Sequence, residues 1–200
     1  MTEDFDLYLA SASPRRRELL QQIGVRLRLL PVEVPEHPER DEAPGVFVKR
    51  VALAKARAGV ATLQADDAHA VLGADTAVVV DGEIFGKPRD KAHGVQMLTR
   101  LAGKTHQVMS AVALMTQELK VVRLRITEVT FSDLSSEQIE AYWESGECHD
   151  KAGAYAIQGR AAVFIKDIKG SYSAVMGLPL YETAAILHQF GILPLEKLVS

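Results

Sequence analysis

The sequence predicts an α/β fold in which helices flank a mixed, twisted sheet. Apolar runs typical of strands alternate with segments of helical spacing, which is the pattern of layered sheet-and-helix domains. A helix between the first two predicted strands indicates a crossover connection. The turn residues Asp81 and Gly82, and the short gap between the strand-like runs 105–115 and 120–131, indicate antiparallel pairing. A sheet with both kinds of connection is mixed.

The amino-terminal half contains the predicted crossover. Its elements are a strand over 6–11, a helix from Pro14 to Gly24, a strand over 25–32, an acidic, proline-rich loop over 35–45 and a helix over 47–58. Pro14 suits a first helical turn, where a missing N–H costs nothing, and Ser13 before it is the expected N-cap. A glycine just beyond the last apolar residue is a common helix end.

The carboxyl-terminal half combines the predicted hairpins with three more helices. Its elements are strands over 70–80, 105–115, 120–131 and 161–168, helices over 90–101, 136–145 and 179–190, and a turn over 169–173. The motif "GADT" at 73–76 is expected to interrupt the first of these strands. Ser135 and Gln138 have the spacing of a capping box.

Composition limits the class of protein. The 200 residues include 48% hydrophobic ones, with no repeat or linker, which predicts a single domain over 1–200. A net charge of −3 argues against a nucleic-acid partner. The single cysteine, Cys148, suits a reducing compartment, and we expect it to be non-catalytic. The acidic start "MTEDFD" is unlike a signal peptide, and no apolar run reaches the roughly 20 residues of a membrane span, so a cytoplasmic protein without a membrane partner is expected.

The motif "SASPRRR" at 11–17 places three arginines where a strand hands over to a helix. The first N–H groups of a helix and its positive dipole end attract anions, and arginine binds phosphate in a bidentate way. Ser11, Arg15 and Arg16 could therefore form a phosphate site, with Arg17 the most dispensable. The alternative is that Ser13 is only a cap and that the arginines are solvated.

Further polar residues lie within apolar or glycine-rich stretches. Asp75 and Thr76 fall inside a strand-like run, where a carboxylate is costly unless it is paired or functional. The structural alternative is an aspartate that closes a turn. Lys87 in "GKP" and Gln158 in "DKAGAYAIQG" stand beside glycines that allow a close approach of backbone, and either motif could also be an ordinary turn. The six histidines lack metal-binding spacing, and Trp143 is expected to pack.

Five motifs in this order resemble those of the Maf-like nucleoside triphosphate pyrophosphatases. The motifs are "SASPRR", "GADT", "GKP", "DKAGAYAIQG" and "GSYSAVMGLPL", which together span nearly the whole chain. The resemblance implies hydrolysis of a nucleoside triphosphate to its monophosphate and pyrophosphate with a divalent cation, Mg²⁺ or Mn²⁺. It also implies an elongated, two-lobed fold like that of inosine triphosphate pyrophosphatases, with the site in a central cleft, and a homodimer.

The resemblance also implies roles for particular residues. Asp75 matches the proton acceptor, and it would hold the metal together with Glu36. The family has an acidic pair at this second position, of which Pro35 replaces one member, with Glu33 as a nearby substitute. The residues that match the phosphate-binding positions are Ser11, Arg15, Arg16, Lys55 and Lys87. The residues that match the substrate-selecting positions are Arg15, Thr76 and Gln158.

The form "AYAIQG" is similar to the branch of the family that cleaves dTTP and UTP. The Gln158 amide has both a donor and an acceptor for the C=O and N–H edge of thymine or uracil. CTP and modified pyrimidine nucleotides are further candidates. Two alternatives stay open: cleavage of 7-methyl-GTP, whose branch has Glu in place of Gln158, and a nucleotide-binding regulator of septum formation.

Overall fold

A mixed sheet runs through the protein, with helices on both of its faces. The computed structural model describes residues 5–193. Within them the seven strands are β1 (Leu7–Leu9), β2 (Leu27–Leu29), β3 (Ala70–Val80), β4 (Glu83–Phe85), β5 (Thr105–Met115), β6 (Lys120–Phe131) and β7 (Ile165–Lys169). The α-helices are α1 (Pro14–Gln22), α2 (Pro44–Val60), α3 (Lys91–Leu101), α4 (Ser136–Glu144), α5 (Tyr172–Met176) and α6 (Leu180–Gln189). No helix in this part of the chain is long and apolar enough to cross a membrane.

The strand order combines the predicted crossover with the predicted hairpins. The strands follow the order β2-β1-β3-β5-β6-β7, and β4 pairs with β3. β1 is parallel to both β2 and β3, whereas β3–β4, β3–β5, β5–β6 and β6–β7 are antiparallel pairs. The prediction of a mixed sheet flanked by helices is therefore confirmed. The extent of one domain over 1–200 stays a prediction, because residues 1–4 and 194–200 lie outside the described part.

The two faces of β3 pack against different helices. Successive side chains of a strand point to opposite faces of its sheet. Ala77 and Val79 share a buried cluster with Phe47, Val48 and other residues of α2. The alternate residues join clusters on the opposite face: Leu72 and Ala74 pack with residues of α1 and α6, and Val78 and Val80 with residues of α3 and α4. Asp75 therefore points towards α2, and Thr76 points away from it.

One edge of β3 is only partly paired. β5 pairs along the other edge, from Val71 to Val79. On this edge β1 pairs with β3 as far as Leu72, and β4 joins it only at Val78. Among the described strands, none covers residues 73–77 here, so the sheet has a gap where β1 turns away. The "GADT" motif lies in this gap.

Several local predictions are wrong, and packing explains two of them. β3 runs without interruption through "GADT", because every residue there is paired with β5. Residues 160–164 form a 3₁₀ helix, and the strand expected over 161–168 begins only at Ile165. Ala161 and Phe164 are buried in this 3₁₀ turn while Val163 is 82% exposed, so the spacing of the apolar residues is not that of a strand. The turn expected over 169–173 leads into α5, for which Ser171 is the N-cap.

The predictions about caps and packing had mixed outcomes. Ser135 and Gln138 form the predicted capping box of α4. Ser13 occupies the N-cap position of α1, but its side chain makes no capping hydrogen bond. Trp143 packs at the edge of a buried cluster, directly against Gly94 of α3. Cys148 is fully buried in the same cluster.

Candidate active site

A cleft of about 430 Å³ opens at the gap beside β3. It is lined by all nine residues that the sequence singled out: Ser11, Arg15, Arg16, Glu36, Lys55, Asp75, Thr76, Lys87 and Gln158. Glu33, the substitute carboxylate, is not among the lining residues. Five basic and three acidic side chains face the cleft, so its local charge is positive although the chain is acidic. A positive cleft attracts a polyanion such as a triphosphate.

Asp75 and Lys55 form a buried ion pair in the floor of the cleft. Lys55 Nζ of α2 donates to Asp75 Oδ1 at 3.0 Å and to the Ala74 carbonyl at 3.4 Å. The side chains are 8% and 10% exposed. Gly73 makes this contact possible, because a Cβ there would lie 2.3 Å from the carbonyl oxygen of Ala52 in α2. The glycine of "GADT" therefore lets α2 lie against β3.

Glu36 completes a group of three charges. Its Oε1 lies 2.7 Å from Lys55 Nζ, so one ammonium group contacts two carboxylates from different elements. Within residues 5–193 no cluster of three or more His, Cys, Asp or Glu side chains could hold a metal ion. Mg²⁺ is commonly held by one or two carboxylates together with substrate phosphates. Asp75 and Glu36 fit that donor set, although they do not form a complete cage.

Arg16 crosses the cleft from α1 to the other face of β3. Its Nε donates to the Gly177 carbonyl at 2.9 Å, its Nη1 to Ser11 Oγ at 3.2 Å and its Nη2 to Thr76 Oγ1 at 3.4 Å. Thr76 Oγ1 lies 2.9 Å from Ser110 Oγ of β5, the residue directly opposite in the strand register. These three hydrogen bonds fix the position of the guanidinium group, and the two made by Nη1 and Nη2 are long and weak.

The other arginines of the triplet differ in exposure. Arg15 lines the cleft and is half-buried, and no residue in the described part of the chain accepts a hydrogen bond from its buried Nε. A buried donor without an acceptor is costly, which indicates a ligand that supplies one. Arg17 is exposed, which agrees with the expectation that it is the most dispensable of the three. Ser11 Oγ accepts from the Ser13 N–H at 3.2 Å, so Ser11 rather than Ser13 organises the start of α1.

The opposite wall of the cleft carries Lys87 and Gln158, both exposed. Lys87 follows β4, and Gln158 belongs to the loop between two short 3₁₀ helices, Ala152–Ala154 and Arg160–Phe164. These segments are tied together, because the Gly153 N–H donates to the Gly86 carbonyl at 3.0 Å. Gly153 has a positive φ of 70°, and a Cβ there would meet Val78 at 2.8 Å, so only glycine allows this contact.

Burial and charge act in opposite directions on the acids of the cleft. Burial raises the pKa of Asp75 above its ordinary value, although Lys55 and Arg16 oppose the shift. Burial also acts to raise the pKa of Glu36, but the contact with Lys55 outweighs it and the net direction is downward. The pKa values of the two carboxyl groups therefore shift in opposite directions: that of Glu36 is lowered, which favours the ionised form, whereas that of Asp75 is raised, which suits a general base.

Three further polar residues of the site were given no role by the interpretation of the sequence. Asp150 and Lys151 line the cleft, and they contact each other. Both open the motif "DKAGAYAIQG", which was the available signal. Ser110 is completely buried, contacts Thr76 and donates to the Ala174 carbonyl at 2.5 Å. Nothing in the local sequence of β5 indicates this role, because it depends on the register with β3.

Comparisons with known proteins give consistent results. Residues 6–190 match the family described as Maf-like protein. A protein of Alkalilimnicola ehrlichii named dTTP/UTP pyrophosphatase is 53% identical over 189 residues, with 93% of each chain covered. A protein of Xanthomonas campestris pv. campestris with the same name is 54% identical over 187 residues, which cover 92% of this chain and 98% of that one.

The fold is also similar to a solved structure. The Staphylococcus aureus Ham1 protein superposes with a TM-score of 0.55 at 12% sequence identity, over 92% of this chain and 98% of that chain. At this identity the likeness concerns the fold alone.

Proposed function

This chain belongs to the Maf-like proteins, and we propose that it is a nucleoside triphosphate pyrophosphatase that hydrolyses dTTP and UTP to the monophosphate and pyrophosphate. The observation that carries the proposal is the ion pair of Asp75 and Lys55 in the floor of the positive cleft, in contact with Glu36. A site that only binds nucleotides needs the cationic groups but not a buried carboxylate with a raised pKa. Relatives 53% and 54% identical that bear the name dTTP/UTP pyrophosphatase support the choice of substrate.

The basic groups hold the triphosphate. Arg15 and Arg16 approach it from α1, Lys55 from α2 and Lys87 from the loop after β4. The long contacts of Arg16 with Ser11 and Thr76 can be exchanged for shorter bonds to phosphate oxygens, which charge strengthens. Since these groups come from separate elements and are already in place, they stabilise developing charge with little reorganisation.

Asp75 has the position and proton affinity of a general base. Its Oδ1 accepts from Lys55, while among residues 5–193 no group hydrogen-bonds its Oδ2, which leaves this oxygen for a water molecule. Asp75 takes a proton from the water molecule while the oxygen of that water attacks the α-phosphorus. The bond between that phosphorus and the bridging oxygen breaks, and pyrophosphate leaves towards the basic side chains.

A divalent cation, Mg²⁺ or Mn²⁺, is part of the proposal. Asp75 and Glu36 would hold it together with oxygens of the substrate, and it would supply further neutralisation of phosphate charge. The support is the donor set of two carboxylates that meet at one point in a phosphate-binding cleft. Titration of activity with Mg²⁺, Mn²⁺ and a chelator tests this part.

Pyrophosphate release from a panel of nucleotides tests the function. The purified protein is incubated with dTTP, UTP, CTP, GTP and 7-methyl-GTP, with a divalent cation, in water enriched in ¹⁸O. We expect the highest kcat/KM for dTTP and UTP, with the label in the monophosphate because water attacks the α-phosphorus. Label in pyrophosphate, or release of orthophosphate, would contradict the mechanism. Binding of dTTP without any hydrolysis would instead indicate a nucleotide-binding regulator.

We also propose that the enzyme acts as a cytoplasmic homodimer. Membership in the Maf-like family supports the dimer, and the buried thiol of Cys148 is compatible with a reducing compartment. Light scattering of the purified protein measures the mass, for which a dimer of the 21.8 kDa chain is expected. Fractionation of the cells that make it tests the location.

A further inference from the structure

Gln158, the side chain proposed to recognise the base, is not held in place by contacts of its amide. Gln158 is exposed, and no hydrogen bond joins its amide to another residue of the described range 5–193. A glutamine has three rotatable bonds, and its selectivity for one base edge depends on how firmly its backbone is placed. Base selection by Gln158 therefore depends on the contacts that fix the backbone of residues 156–160.

Two side chains from outside the cleft hold this backbone on both sides of Gln158. The hydroxyl of Tyr142 in α4 accepts from the Ala156 N–H at 3.0 Å and donates to Glu147 Oε1 at 2.8 Å. The other carboxylate oxygen of Glu147 accepts from the Arg160 N–H at 2.9 Å. The two N–H groups that lie two residues before and two residues after Gln158 therefore both donate to the hydrogen-bonded pair of Tyr142 and Glu147.

The surroundings make this pair rigid. Tyr142 is 4% exposed, and its ring packs edge-on against Phe164 with centroids 5.2 Å apart. A Cβ on Gly159 would lie 2.3 Å from Glu147 Oε2, so only glycine at 159 lets the carboxylate reach the loop. The φ of Gly159 is −111°, which other residues adopt, so the requirement for glycine comes from this contact rather than from the backbone conformation.

The carboxylate is ionised under ordinary conditions. Partial burial acts to raise the pKa of Glu147, but hydrogen bonds from the Arg160 N–H and from Tyr142 outweigh it and the net direction is downward. Bonds to a charged acceptor are shorter and stronger than neutral ones. Neither Tyr142 nor Glu147 lines the cleft, so both can act on a substrate only through the loop.

We propose that Tyr142 and Glu147 are positioning residues for base selection, which hold residues 156–160 so that Gln158 meets the thymine or uracil edge. This inference rests on the proposed function and deepens it. The groups assigned to phosphate binding and to proton transfer lie on other elements. Loosening the pair should therefore weaken substrate recognition and leave the chemical step nearly intact.

Tyr142→Phe tests the inference by removing a single hydroxyl while keeping the ring. We expect KM for dTTP to rise about tenfold, kcat to stay within about twofold, and the preference for dTTP over dCTP to fall about tenfold. Hydrogen exchange of the segment around 156–160 should become faster. Tyr8→Phe is the matched control, because the Tyr8 hydroxyl also donates to a carboxylate, that of Asp67, outside the cleft. It should leave all of these values unchanged.

Gly159→Ala provides a second test that does not touch the tyrosine. The added methyl group displaces the Glu147 carboxylate and should give the same split between KM and kcat, even if Tyr142→Phe fails to fold. If the wild-type protein hydrolyses dTTP but neither variant that folds changes KM, discrimination or exchange, the inference alone is overturned. An equal loss for every nucleotide in kcat would also overturn it, because it would indicate general loosening. If the wild-type protein releases no pyrophosphate from dTTP, the proposed function fails and the inference fails with it.

Discussion

The two walls of the cleft are built in different ways. On the wall formed by α1, α2 and β3, Lys55 and Asp75 form an ion pair with 8% and 10% of their side chains exposed, and the partly buried Arg16 is held by three hydrogen bonds. On the wall formed by the loops after β4 and around 150–160, Lys87 and Gln158 are exposed and the supporting contacts lie behind the surface. Direct contacts of the side chains fix the first wall. The second wall is fixed by contacts of the backbone from which its side chains extend.

This difference follows from the chemistry assigned to Asp75 and Lys55 on the first wall and to Gln158 on the second, which also carries the phosphate-binding candidate Lys87. A buried charge is tolerated only when it is paired, so Lys55 and Asp75 satisfy each other before the substrate arrives. A base edge is neutral, and its recognition needs a well-placed donor and acceptor rather than a strong field. Substitutions on the first wall should therefore affect turnover strongly, and those on the second should affect selectivity more moderately.

The largest effect is expected for Asp75→Asn. The amide keeps the shape of the side chain but cannot accept a proton, so kcat should fall about 10²- to 10⁴-fold with the fold intact. Steady-state release of pyrophosphate from dTTP measures the loss, and circular dichroism checks the fold. Asp66→Asn, at an exposed loop position, is the control and should keep full activity. Near-normal turnover by a folded Asp75→Asn protein would contradict the assignment of the base.

A comparison of Arg16→Ala with Arg17→Ala distinguishes a specific contact in the cleft from a general effect of positive charge, because the two arginines are neighbours on the same helix. Arg16 contacts Ser11, Thr76 and the Gly177 carbonyl inside the cleft, whereas Arg17 is exposed on the same helix. Loss of a partly buried, preorganised donor should lower kcat/KM about 10²- to 10³-fold, and the Arg17 variant should be unchanged. Equal losses in both variants would indicate a field effect of α1 rather than a specific contact.

Gln158→Glu probes the second wall directly. The carboxylate only accepts hydrogen bonds, so it loses the donor that pairs with a carbonyl of thymine or uracil. We expect kcat/KM for dTTP and UTP to fall at least about tenfold relative to the other nucleotides of the panel. The exposed Gln96 offers a matched control, Gln96→Glu, for the added charge. Unchanged relative values across the panel would rule out a role for Gln158 in base selection.

Lys55→Met should lower turnover as other substitutions on the first wall do, and the smallest effect expected here is the accompanying shift in its pH profile. Asp75 must be ionised to accept a proton, so kcat falls as the pH is lowered through the pKa of its carboxyl group. Lys55 lowers that pKa against the effect of burial, so its removal should raise the pKa and move the acid limb to higher pH. Lys49→Met, on the exposed face of α2, should leave the limb in place. A shift to lower pH, or none, would contradict the coupling of Lys55 with Asp75.

Part of the first wall was predictable from local sequence, whereas Lys55 and Glu36 were assigned only through the resemblance to the Maf-like family. Asp75 is a carboxylate in an apolar run, and Arg15 and Arg16 stand where a strand hands over to a helix, so each is recognisable from its immediate neighbours. The alternation by which Asp75 and Thr76 point to opposite faces was not predicted, because the strand was expected to be interrupted at "GADT". The second wall offered weaker signals, since Gln158 is a polar residue in a glycine-rich loop.

What the sequence by itself determined about this protein is therefore most of its helices and strands and those chemical groups that have a local signal, because strand alternation, helical spacing and buried charge are local properties. What only the tertiary structure decided is where those groups meet. The gap at residues 73–77 arises because β1 leaves β3 after Leu72 and β4 joins it only at Val78. The contacts of Ser110 with Thr76, and of Glu147 with Arg160, likewise depend on register and on packing between distant segments. Such contacts follow from the whole fold, and no short stretch of sequence specifies them.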